Sequence, residues 1–121
     1  TSAMVKNPHL IMGLSTSARS GLHGLSKALS REVAQFNITI NNLLPERIDT
    51  DRQTQMLNLQ AKLTGTSYEE SRRSLEETLS AKRMGTAEEF SGICTFLCSQ
   101  QAAYISGQNI SVDGGNSTNL I

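Results

Sequence analysis

The chain has 121 residues and formal net charge +0, with 37% hydrophobic, 18% charged and 4% aromatic residues, 9 Gly and 2 Pro. These proportions exclude collagen, a low-complexity tail and a disordered acidic or basic arm, and eleven Lys+Arg against eleven Asp+Glu leave no overall field to gather nucleic acid or an anionic membrane surface. No apolar run approaches the roughly 18 residues of a membrane helix, and the opening Thr1-Ser2-Ala3-Met4-Val5-Lys6 lacks the basic-then-apolar order of a signal peptide, so a soluble, cytoplasmic chain is expected.

Leu14, Ala18, Leu22, Leu25, Leu29 and Val33 recur every three or four residues, which predicts one long helix over 11–35 with an apolar stripe, more apolar surface than a few short strands can cover. The period then changes. Residues 38–44, Ile-Thr-Ile-Asn-Asn-Leu-Leu, alternate and are rich in β-branched side chains before Pro45, the pattern of a strand. Residues 51–80 carry two thinner stripes, Met56, Leu59 and Leu63, then Leu75 and Leu79, broken at Gly65, so two amphipathic helices are expected. Ser67-Tyr68-Glu69-Glu70 supplies a capping box for the second, and Thr86-Ala87-Glu88-Glu89 opens another helix bearing Phe90, Ile93, Cys94, Leu97 and Cys98. A short strand inside 107–115 ends the pattern at the turn signal Asp113-Gly114-Gly115.

Cys94 and Cys98 lie one helical turn apart, a poor spacing for a disulfide, and His9 and His23 are too isolated to complete a zinc site. Reduced thiols buried on the inner helix face are expected, with no metal. Tyr68 and Tyr104 are expected to pack, and His23 to sit at a helix–helix contact. Strands separated by helical crossovers imply an α/β layered domain around a parallel sheet. Two short strands leave such a sheet with an open edge, which suggests that the chain is part of a larger domain.

Several strings in order, namely Ser20 to Leu29, Ile40-Asn41-Asn42-Leu43-Leu44-Pro45, Ile48-Asp49-Thr50-Asp51, Arg83 to Glu89 and Ser106 to Gly115, resemble the C-terminal half of the short-chain dehydrogenase/reductase family, particularly its 3-oxoacyl-acyl-carrier-protein-reductase-like members. The resemblance implies that residues 1–121 are the C-terminal half of one Rossmann-type, doubly wound parallel domain, without its N-terminal cofactor-binding half. No glycine cluster here follows a strand in the phosphate-loop arrangement, so weak dinucleotide affinity is expected of residues 1–121 alone. The resemblance further implies an NAD- or NADP-dependent hydride transfer to a small-molecule carbonyl or from an alcohol, and a homo-oligomer built through the long helix and the last strand.

The family's catalytic Ser, Tyr and Lys carry over unevenly. The Ser falls on Ser2, the Tyr position on Ser15 and the Lys position on Arg19, so the chain is similar to a divergent subgroup with an incomplete YxxxK motif. The implied catalytic set is therefore Ser2, Ser15 and Arg19. Cofactor contacts carry over to Arg19, Pro45, Ile48 and Thr50, although Glu46 stands where the family has Gly. An aliphatic hydroxyl is a far weaker acid than a phenol, and a guanidinium does not relay protons at neutral pH. The alternative is accordingly a catalytically inactive relative retained for binding or assembly. His9 falls in the loop that borders substrate in the family and is a solvated residue or a substitute acid.

Overall fold

The computed structural model describes residues 1–120 as an α/β unit of four α-helices and a two-stranded parallel sheet, with short 3-10 turns at Ala3–Val5, Leu10–Met12, Ala34–Phe36 and Gln100–Ala102. Helix α1 spans Gly13–Val33, strand β1 Asn42–Pro45, α2 Asp51–Thr64, α3 Tyr68–Thr78, α4 Ala87–Leu97 and β2 Asn109–Val112.

The sheet is short because only part of the expected strand finds a partner. Asn42 to Pro45 pair in register with Asn109 to Val112, whereas Ile38 is about half exposed after Asn37 turns left-handed at φ 57°. Two asparagines set the register. Asn41 Nδ2 donates to the Ile105 carbonyl at 2.8 Å and its Oδ1 accepts the Gln108 amide at 3.1 Å, while Asn42 Nδ2 donates to Asn109 Oδ1 at 2.9 Å. The ladder continues past β1, since the Glu46 amide donates to the Val112 carbonyl at 3.1 Å and Ile48 bridges Gly85 in parallel.

The local start signals hold as read. Ser67 and Glu70 form the reciprocal capping box of α3, and Thr86 and Glu89 form that of α4. Gly65, at φ 70°, ends α2 in the left-handed conformation that spares a Cβ clash. The chain thus doubles back, and Leu57 of α2 meets Leu79 and Met84 in a cluster flanked by Tyr68 and Leu75. Burying one leucine there stabilises the fold by about 1.5–3 kcal/mol.

Three expectations are corrected. On α2 the stripe Met56, Leu59 and Leu63 is exposed, and Leu57 and Ala61 are buried instead. The apolar stripe of α1, more surface than two short strands cover, faces outward: Leu14, Leu22, Leu25 and Leu29 are exposed, and the residues buried on the opposite face are Thr16, His23 and Ser30. Nothing in the described residues returns to cover that stripe. Cys94 and Cys98 are free as expected but exposed rather than buried, because they turn to an open cavity of about 810 Å³ between α4 and the edge of β1. Tyr104 is fully exposed and packs on nothing, whereas Tyr68 does pack.

Candidate active site

The first residues of the chain run beside β1. The Thr1 amino group donates to the Leu43 carbonyl at 2.8 Å, and Thr1 Oγ1 lies 2.6 Å from Nε2 of His23 on α1. His23 thereby joins the helix to the segment that carries Ser2 rather than to a second helix, a correction to the sequence reading. Burial pushes its imidazole below the ordinary value, with the Thr1 ammonium and Lys6 adding repulsion. Its Nδ1 and the Thr16 hydroxyl are buried without hydrogen-bond partners among the described residues.

Ser2 is extended, at φ −169°, and its Oγ accepts the Met4 amide at 3.3 Å to cap the first turn. Its hydroxyl proton goes to no protein acceptor among the described residues and can serve a bound oxygen. One turn separates Ser15 from Arg19 on α1, and Arg19 Nη1 donates back both to the Ser15 carbonyl, at 3.1 Å, and to Ser15 Oγ. Nε and Nη2 of Arg19 are unengaged among the described residues. The Arg19 guanidinium lies close enough to the Thr1–Ser2 segment for its charge to act there.

Pro45, Ile48 and Thr50 follow one another along a lip at the carboxyl end of β1. Gly85 accepts from the Asp49 amide at 2.8 Å and donates to the Arg47 carbonyl at 3.1 Å. By the alternation of a parallel bridge, the amide and carbonyl of Ile48 itself point the other way, and no partner among the described residues takes them. Thr50 is the N-cap of α2, yet its side chain makes no capping bond and is exposed. Arg72 of α3 braces the lip: its guanidinium donates to Asp49 Oδ2 at 2.7 Å, Glu76 Oε1 at 3.0 Å and the Tyr68 hydroxyl at 3.3 Å, and these partners hold its pKa above the ordinary value.

Ser15 and Arg19 are therefore joined directly and lie near the Ser2 segment, while the lip residues form a second group with no hydrogen bond to Arg19. Sequence reading missed the Arg72–Asp49 tie and the His23–Thr1 contact. An acidic residue in the lip opposite a basic one in the next helix was a signal for the first; the second had none. His9 is exposed and makes no side-chain capping bond.

A family model described as enoyl-(acyl carrier protein) reductase matches residues 3–117. The chain belongs to the short-chain dehydrogenase/reductase family. Among this family's members, NADPH-dependent reductase BacG of Bacillus subtilis is 36% identical over 111 residues, covering 92% of this chain and 43% of that protein. The 3-oxoacyl-[acyl-carrier-protein] reductase FabG of Escherichia coli is 37% identical over 98 residues, covering 81% of this chain and 36% of that protein. The crystal structure of L-sorbose reductase from Gluconobacter frateurii complexed with NADPH and L-sorbose matches with a TM-score of 0.90 at 28% identity, over 98% of this chain and 46% of that one. The chain thus spans less than half the length of the curated relatives it matches, and its parallel α/β arrangement is of their Rossmann type.

The short-chain dehydrogenase/reductase lip fits a nicotinamide dinucleotide. A carboxamide needs one donor and one acceptor, which the unengaged Ile48 amide and carbonyl would match, and a phosphate needs donors, which the unused Thr50 hydroxyl would offer beside an α2 N-terminus that also carries Asp51. Glu46, the departure from glycine, does not block this, since its Oε1 accepts Asn116 Nδ2 at 2.9 Å and so faces the C-terminal segment. Among the described residues no cluster of three or more His, Cys, Asp or Glu could hold a metal, and no helix is long and apolar enough to cross a membrane.

Proposed function

We propose that the protein carrying this chain is a cytoplasmic NAD- or NADP-dependent oxidoreductase of the 3-oxoacyl-acyl-carrier-protein-reductase kind, acting on a small-molecule carbonyl or alcohol. Residues 1–121 are read as the C-terminal half of its single Rossmann-type domain, from a divergent subgroup without the Tyr and Lys of YxxxK. The observation that supports the reading is a Ser2 hydroxyl with an undirected proton beside β1, a guanidinium held on its own helix by Ser15, and a separate lip after β1 with an unengaged amide and hydroxyl. The names of the relatives support it, one an NADPH-dependent reductase and one a 3-oxoacyl-carrier reductase.

When bound, the nicotinamide supplies or takes up the hydride. Ser2 donates its hydroxyl proton in a hydrogen bond to the substrate oxygen and stabilises the negative charge that develops there. Arg19 is held by Ser15 and donates its remaining N–H groups to the ribose hydroxyls. Ile48 and Pro45 border the carboxamide and Thr50 the phosphates. Neither Ser15 nor Arg19 releases a proton near neutral pH, so water delivers the proton to the substrate oxygen. NADPH oxidation by the full-length protein against ketones and 3-oxoacyl thioesters tests this. Turnover is expected, with Ser2→Ala lowering kcat by roughly 10²-fold or more and Ser15→Tyr with Arg19→Lys raising it. Cofactor binding without turnover in either form would establish the inactive alternative.

The protein is also read as a homo-oligomer, since the exposed Leu22, Leu25 and Leu29 line one face of α1 and β2 leaves a sheet edge unpaired. Light scattering is expected to give a dimer or tetramer that Leu25→Glu dissociates; a wild-type monomer at high concentration would overturn it.

A further inference from the structure

A second cavity, of about 350 Å³, opens beyond the carboxyl ends of β1 and β2, between the lip and the Asp113 turn. It adjoins the lip and shares Glu46, Arg47 and Ile48 with it; Ser2, Ser15, Arg19, Pro45 and Thr50 do not line it. Its size falls at the lower end of small-molecule pockets, roughly 300–1,000 Å³, and crevices outside the carboxyl ends of parallel strands are where open α/β sheets bind ligands.

The charged side chains around it are unevenly paired. Asp113 is satisfied by the Gly115 and Ser117 amides at 3.0 and 3.1 Å. Glu89 takes both Nη groups of Arg83, at 2.9 and 2.7 Å. The Glu46 carboxylate has one neutral donor, the Asn116 amide group, and no cation, and the Arg47 guanidinium makes no hydrogen bond or ion pair with any described residue. Two arginines against three carboxylates leave the lining at a net charge of −1.

The backbone adds a second, independent sign. Three non-glycine residues have positive φ, and two of them are at this cavity: Arg47 at 52°, and Lys82 at 55° between the lining residues Ala81 and Arg83. Gly114 and Gly115, at 62° and 77°, complete the rim. Left-handed backbone at residues with side chains is costly and gathers where a ligand is held. At Arg47 and Glu46, consecutive lining residues, one cation and one anion stand at the cavity without pairing with each other.

We propose that this cavity binds a small zwitterion of the α-amino acid type, its carboxylate on the Arg47 guanidinium and its ammonium on the Glu46 carboxylate. A simple anion would add to a lining already at −1, and a simple cation would leave Arg47 without a partner. A zwitterion satisfies both and changes no net charge.

The test is titration of the ¹⁵N-labelled protein with glycine, acetate and methylammonium, followed at the Gly85, Gly114 and Gly115 amides. Saturable shifts are expected with glycine and not with either half-ligand over the same range. Arg47→Gln and Glu46→Gln should each weaken glycine binding at least tenfold, and Arg47→Lys should restore it to within a few-fold. Arg47→Gly keeps the left-handed turn at no steric cost and should leave the spectrum folded while abolishing the shifts. Absence of saturable shifts with glycine, equal saturation by acetate or methylammonium, or unchanged binding in Arg47→Gln would overturn the proposal. The assay contains no nicotinamide, so its failure is separate from failure of the reductase reading.

Discussion

Helix α1 carries the longest apolar stripe of the chain and leaves it exposed, whereas the α2–α3 hairpin closes a small core on Leu57, Leu75 and Leu79, although its own Met56, Leu59 and Leu63 stay exposed. Leu57 and Leu79 are 1% and 5% exposed, against 93% and 65% for Leu14 and Leu25. Periodicity reveals that a face exists; only the return of the chain decides whether that face is covered. Gly65 turns α3 back within a few residues of α2, so the partner stripe is local. The inward side of α1 is instead polar and meets the Thr1 segment through His23.

The largest test of this contrast is Leu57→Ala, which is expected to lower the free energy of unfolding by about 2–5 kcal/mol in urea titrations, since the cavity lies in the closed hairpin core. The helix starts come next. Thr86→Ala should cost about 1 kcal/mol, because it removes the acceptor of the Glu89 amide at 3.1 Å. The Arg83 guanidinium, with help from the Thr86 amide, holds the Glu89 carboxyl down to about 2, so its contribution is complete above the unfolded value of 4.5 and is lost as pH falls towards 2. A pH series of thermal melts on the wild type and Glu89→Gln checks this, and the variant should lose that acid dependence.

A smaller effect is expected at His23. Its imidazole is held below 6.5 in the fold, so the unfolded chain binds a proton that the native state refuses; stability is full above about pH 6.5 and falls as pH drops through that value. His23→Gln should flatten that part of the profile, and an unchanged slope would break the account of α1's inward face. The smallest effect belongs to the outward face, where Leu25→Ala should change the stability of the isolated protomer by no more than about 0.5 kcal/mol. A loss as large as that of Leu57→Ala would erase the contrast between the two regions.

What could be read from the sequence follows the same division. Ser67 with Glu70 and Thr86 with Glu89 act within one turn, and both helix starts lie where their spacing puts them. The pairing of Ser15 with Arg19 follows from a four-residue interval on one helix. Partners far apart in sequence were not legible: Ile48 bridges Gly85, Asn116 holds Glu46, and Thr1 reaches His23, none of which leaves a local pattern. The expected burial of Cys94 and Cys98 failed for the reason that leaves Met56, Leu59 and Leu63 of α2 exposed, since an apolar stripe does not say what lies opposite. The parallel sheet was legible as a class from its helical crossovers, while its register depends on Asn41 and Asn42 clasping the entry to β2.

Arg72 makes the lip and α3 one mechanical body. Its guanidinium holds Asp49 on one side and Tyr68 and Glu76 on the other, so the helical hairpin cannot swing outward without either dragging the lip or breaking the ion pair to Asp49. Both partners are about one third exposed, within reach of dissolved ions, and salt screens such pairs. Ionic strength therefore acts on the timing of any opening of the hairpin, and the rate at which a molecule behind it escapes should rise with salt while the resting shape stays the same.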